Sequence, residues 1–110
     1  MTGEMAYFEL HVEDAAKAER FYGEVLGWQF APGSIPQGRQ ITNTSPAGGI
    51  HGGEDETFIR AYFAVDDIDA AVASVRRFGG RASQVMSTGA GRYANCRDDQ
   101  GLEFSLFQFA

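Results

Sequence analysis

The strongest constraint on the fold is an order of elements that runs twice along the chain. At an offset of 53 residues Val12 falls on Val65, Asp14 on Asp67, Ala18 on Ala71 and Gly27 on Gly80, while Leu10 meets Phe63. The first copy opens with an alternating run in which Phe8, Leu10 and Val12 share one strand face and Tyr7, Glu9 and His11 the other. Asp14 is placed to cap a helix that runs to about Leu26 and is stopped by Gly27. In that helix Ala15, Ala18, Tyr22 and Val25, with Phe21 and Leu26 beside them, have the spacing of core contacts. Three short strands follow, over 28–31, 39–43 and 47–51. The second copy reads as a strand over 58–65, then a helix capped by Asp66-Asp67 with Ile68, Ala71, Val72, Val75 and Phe78 on its apolar side. Gly79-Gly80 ends that helix, and strands are expected over 81–86, 92–97 and 103–109. Gly89-Ala90-Gly91 serves as a hairpin connection and 98–101 as a turn. The expected class is α+β: two βαβββ repeats, about 5–52 and 57–110, in one domain spanning 1–110.

Composition narrows the partners. Fifteen acidic residues against nine basic ones give a net charge of −6, and the basic set is eight Arg and one Lys scattered along the chain. A phosphate-backbone binder is not expected, so no nucleic-acid partner is assigned. Apolar stretches reach only a few residues, far short of the roughly 18 that span a bilayer, so no membrane partner is assigned either. The start of the sequence lacks a signal-peptide pattern. The lone Cys96 can form neither an intrachain disulfide nor a cysteine-based zinc cluster, and inside a strand it reads as a small apolar packer. The expected location is the cytoplasm.

Four pieces carry a family resemblance: Val12-Glu-Asp14, the helix ending Phe21-Tyr22-Gly-Glu-Val-Leu-Gly27-Trp28, Val65-Asp-Asp67-Ile-Asp, and Asp98-Asp-Gln-Gly101. In order and spacing they resemble the vicinal oxygen chelate superfamily, which includes glyoxalase I, extradiol dioxygenases, fosfomycin-resistance enzymes and bleomycin-binding proteins. The closing Leu106-Phe107-Gln108 is similar to its glyoxalase-like branch. The resemblance covers nearly the whole chain. It implies two modules forming a curved mixed sheet around a ligand cavity, often completed in a homodimer. It also implies metal-ligand positions five residues before the Val of each Val-x-Asp and four residues after the Gly of Asp-x-x-Gly. Those positions hold Tyr7, Arg60 and Ser105. A guanidinium cannot ligate a cation, and phenol and serine hydroxyls are poor ligands for the usual metals, so no metal and no cofactor are expected at these positions.

With Tyr7 facing the cavity, the strand period brings Glu9 and His11 to the same side; Arg60 brings Tyr62, and Ser105 brings Glu103 and Phe107. Together with Trp28 and His51 these residues suit a small organic molecule with an anionic group for Arg60 and a flat body for the aromatic rings. The leading expectation is therefore a metal-independent small-molecule protein that sequesters its ligand or performs acid/base chemistry on it, with Glu9 or Glu103 as base. Pairing of Arg60 with Glu9 or Glu103, merely to neutralise buried charge, stands beside it. The alternative is a metal-dependent lyase, isomerase or dioxygenase, in which His11 and His51 join Glu9 or Glu103 in a shifted two-His-one-carboxylate site. A third expectation is a closed cavity, with the sheet as a protein-docking surface.

Overall fold

The computed structural model describes residues 2–110, which contain nine strands and two helices. The chain divides into two compact units: Tyr7–Arg60, and Ala61–Ala110 with residues 2–6. The first has the βαβββ order of the expected α+β fold, and the second has the same order with the first strand after its helix in two pieces. No helix among the described residues is long and apolar enough to cross a membrane.

In the first unit β1 (Met5–His11) leads into α1 (Ala15–Leu26), followed by β2 (Phe30–Pro32), β3 (Gly38–Ile41) and β4 (Ala47–His51). The sheet order is β2-β3-β4-β1, antiparallel except where β4 returns parallel to β1 with Leu10 opposite Ile50 and His11 opposite His51. The crossover through α1 is what permits that parallel return. Helix α1 begins where expected, because the Asp14 side chain accepts the Lys17 N–H at 3.1 Å, and it ends at Gly27 in the left-handed conformation with φ 71°. Its Ala15 and Ala18 press onto Leu10 and Ile50, with Val12, Tyr22, Trp28 and Phe30 around them. Phe21, Val25 and Leu26 were expected in this core and are instead more than half exposed. The small residues Ala15 and Ala18 and the ring of Tyr22 already fill the contact, so the flanking positions of the helix face outward.

The second unit repeats the scheme. β5 (Phe58–Ala64), whose first three residues close the first unit, leads to α2 (Ile68–Arg77), then to β6 (Arg81–Ala82), β7 (Met86–Thr88), β8 (Gly91–Arg97) and β9 (Glu103–Phe109). β9 runs parallel to β5 and antiparallel to β8, and both β6 and β7 pair with β8. Asp67 caps α2 by accepting the Ala70 N–H at 3.1 Å, the counterpart of Asp14 in the first unit. The core gathers Ile68, Val72, Ala94, Cys96 and Leu106. Cys96 is thus the buried packer expected of it. Phe78, expected among the core positions of this helix, is 72% exposed. The single strand expected over 81–86 is two pieces. Between them the Ser83 hydroxyl accepts the Asn95 N–H at 3.0 Å, so a side chain replaces a backbone carbonyl in the ladder and the pairing breaks.

Ile68→Ala empties a fully buried position, and urea unfolding should show a loss of about 2–5 kcal/mol. Val25→Ala, on the exposed flank of α1, should stay within about 0.5 kcal/mol of the parent.

Candidate functional site

Because Leu10 and Ile50 are committed to α1, strand alternation turns Tyr7, Glu9 and His11 to the sheet face that α1 does not cover. Tyr7 reaches across to β4, where only a glycine leaves it room: a Cβ on Gly49 would stand 2.1 Å from the phenol oxygen. Burial, helped by the negative charge of Glu9, pushes the Tyr7 phenol up to about 12.

At the end of the same strand His11 is 8% exposed. Its ring stacks 4.4 Å from Phe58 at an interplanar angle of 5°, and on its other neighbour His51 at 5.3 Å. The adjoining loop returns to this point because Gly53 adopts φ 78° and donates to the Glu13 carbonyl, after which the Glu54 N–H bonds to the Val12 carbonyl. That places Glu54 Oε1 at 3.0 Å from His11 Nδ1 and 3.1 Å from His51 Nδ1. Glu9 Oε1, 2.8 Å from His11 Nε2, and Glu54 Oε1, beside His51 Nδ1, both lie off the direction a ring hydrogen bond requires, so these two nitrogens are buried without a hydrogen-bond partner. The His11 hydrogen bond is the main cause holding the Glu54 carboxyl below its usual range; the nearby charges of His11, His51 and Arg60 act in the same sense, and desolvation opposes them. The Arg60 guanidinium lies over the Phe58 ring, 5.2 Å from its centroid.

The second unit holds Tyr62, Glu103, Ser105 and Phe107. Phe104 and Leu106 pack on the α2 side, which turns Glu103, Ser105 and Phe107 to the opposite face. Ser105 is fully buried and donates to Asn95 Oδ1 at 2.7 Å; Tyr62 meets Tyr93 edge-on at 6.5 Å; and Glu103 pairs with Arg97. These contacts already engage the Ser105 hydroxyl and the Glu103 carboxylate.

Of the residues expected to form a site, the first unit brings together Tyr7, Glu9, His11, His51 and Arg60. Trp28 is not among them: it stacks on Tyr22 at 5.2 Å and tilts against Phe8 at 5.7 Å, in the core beneath α1. The carboxylate beside both histidines is Glu54. Its signal in the sequence was the run His51-Gly-Gly-Glu54, in which two glycines let a carboxylate fold back onto the imidazole three residues before it. At the metal positions implied by the family resemblance, Tyr7, Arg60 and Ser105 do not fit a cation: one is a neutral phenol, one a fixed positive charge, and one a hydroxyl spent on Asn95.

An elevated phenol pKa has a measurable consequence. Between the ordinary tyrosine value near 10 and the folded value of about 12 the unfolded chain has lost this proton and the native chain has kept it, so the stability due to Tyr7 is present below pH 10 and disappears as pH rises through that window. Tyr7→Phe should flatten the fall in melting temperature there, and phenolate absorbance should show one of the four tyrosines ionising after the unfolded chain would.

Comparison with known proteins agrees with this architecture. A family model for bleomycin resistance protein-like N-terminal regions matches residues 5–41. A glyoxylase-like domain-containing protein from Didymella fabae is 30% identical over 99 residues, covering 79% of this chain and 77% of the relative. Among solved structures, methylmalonyl-CoA epimerase from Mycobacterium tuberculosis superposes with a TM-score of 0.71 at 18% identity, over 98% of this chain and 88% of its own. A methylmalonyl-CoA epimerase in complex with methylmalonyl-CoA and NH4+ gives 0.70 at 15%, over 100% of this chain and 96% of that one. A hypothetical protein from Bacillus halodurans gives 0.75 at 10%, over 100% and 96%. At these identities the structural matches speak for the fold.

Proposed function

The chain belongs to the vicinal oxygen chelate superfamily as a glyoxalase-like protein, and from that premise we propose that it binds a small organic anion without a metal at the family's ligand positions. The observation that carries this reading is the grouping on one face of the first unit of Tyr7, Glu9, Arg60 and the Phe58 ring, with the guanidinium lying against the aromatic surface. A carboxylate or enolate oxygen matches the donors of Arg60, a flat ligand body matches Phe58, and the neutral Tyr7 hydroxyl offers one further hydrogen bond. The acyl-CoA named in the epimerase complex, a thioester bearing a carboxylate, is of the same broad chemical class.

Two outcomes share these groups. In sequestration they only orient the ligand. In acid/base chemistry Glu9 is the base on this face and Arg60 stabilises the negative charge that develops as a proton leaves carbon. Glu103, the other candidate base, is paired with Arg97, which favours Glu9.

The test is a thermal-shift screen against aromatic and aliphatic carboxylates, in which a ligand at 100 times its dissociation constant should stabilise the fold by about 2.7 kcal/mol. Arg60→Ala should weaken a carboxylate hit by about tenfold or more with the fold retained, as expected for loss of a charge-assisted contact. Unchanged affinity would remove Arg60 from the site, and a carboxylate panel with no hits would favour a closed cavity and a docking role.

A further inference from the structure

We propose that His11, His51 and Glu54 form a binding site for a divalent transition-metal ion at the paired ends of β1 and β4. This goes beyond the organic-anion reading and stands independently of it. The three side chains each offer one ligand atom, all within 4.8 Å of one another. Two metal bonds of about 2.0–2.2 Å at tetrahedral or octahedral angles set neighbouring ligand atoms roughly 2.8–3.6 Å apart. Glu54 Oε1 already stands 3.0 Å from His11 Nδ1 and 3.1 Å from His51 Nδ1. These two separations already have the spacing of a coordination shell, and the set of three closes within 4.8 Å.

Two further observations point to an ion. His11 is more than nine-tenths buried, yet its Nε2 and the His51 Nδ1 have no hydrogen-bond partner. A cation taking the Nδ1 lone pair of each ring satisfies His51 Nδ1 directly and fixes the proton of His11 on Nε2, where a carboxylate can accept it. The Glu9 carboxylate stands 2.8 Å from His11 Nε2, on the far side of the ring from Glu54. With Nδ1 on a metal, Nε2 carries the proton, and a slight rotation of the ring aims it at Glu9. A carboxylate behind a ligating imidazole fixes the tautomer and raises the basicity of the ligand. Phe58, stacked flat on His11, limits tilting of that ring. Arg60, whose guanidinium lies over the far ring, Phe58, sets one positive charge against the two carboxylates Glu9 and Glu54.

The donor set selects the ion. Two imidazoles with one carboxylate suit zinc, cobalt(II), nickel or iron(II) and disfavour calcium and magnesium, which require a shell of oxygens. The His51 and Glu54 side chains are 41% and 33% exposed, so the ion has a route in and keeps coordination positions open to water or an oxygen ligand. The site is distinct from the positions implied by the family. Tyr7 precedes His11 by four residues, roughly 13 Å along an extended strand.

The experiment is calorimetric titration of the tag-free, chelator-stripped full chain with zinc and cobalt(II), with cobalt also followed by its visible absorption. A single ion per chain is expected, with cobalt bands shaped by nitrogen and oxygen donors. His51→Ala and Glu54→Gln should each weaken binding by about 100-fold or more, with the melting temperature of the stripped protein retained; His51→Asn is the milder replacement should the alanine variant unfold. Glu9→Gln, a change at a positioning residue, should keep the single-ion stoichiometry and weaken binding by about 10–100-fold. Absence of binding by both ions, or binding that survives replacement of both His51 and Glu54, overturns the proposal. Neither result bears on Arg60→Ala, so the two readings fail separately.

Discussion

The burial of one strand face against each helix is the constraint from which the rest follows. Leu10 and Ile50 under α1, and Leu106 with Ile68 and Val72 at α2, fix which side of each sheet is apolar. Since side chains alternate strictly along a strand, that choice turns Tyr7, Glu9 and His11, and likewise Glu103, Ser105 and Phe107, to the other face without further instruction. A shift of register by one residue would bury a carboxylate and a histidine beneath α1 and expose Leu10.

The two units solve one problem twice with different residues. Asp14 and Asp67 cap the helices in the same way, and the first helical N–H of each is also taken by a glutamine oxygen, that of Gln37 for Ala15 and that of Gln108 for Ile68. The parallel ladders correspond too: His11 opposite His51 in one unit matches Ala64 opposite Phe107 in the other, and Glu9 opposite Gly49 matches Tyr62 opposite Ser105. Shared geometry therefore carries divergent chemistry. The ladder position that gathers two imidazoles in the first unit holds a methyl group and a phenyl ring in the second.

What the sequence revealed depended on how local the cause was. Caps and stops, such as Asp14, Asp67 and Gly27, act within a few residues and could be read directly. So could the facing of Tyr7, Glu9 and His11, since Phe8, Leu10 and Val12 had to be on the opposite side. Periodicity overreached at Phe21, Val25, Leu26 and Phe78, because it shows that a helix has an apolar side but not how wide a stripe its partner covers. Trp28 joined the core for a related reason: the chain turns back at Gly27 and brings it onto Tyr22, six residues earlier on α1. Glu54 could not be found by strand alternation, since a loop delivers it, through backbone bonds to Glu13 and Val12 that no spacing rule encodes.

The interruption of the pairing at Ser83 bears on how copies of this chain can meet. β6, only two residues long, and β7, three residues long, share the outer side of β8 at one end of their unit's sheet, while β2, at one end of the other, is three residues long and finishes in Pro32, which has no N–H to offer. An incoming strand would find almost no run of free backbone groups to zip against, so these edges resist the open-ended stacking of chains that leads to fibres. Any lasting association at these sheet edges has to be made by side chains, whose fit can be selective, and not by the backbone, whose hydrogen bonds accept any sequence.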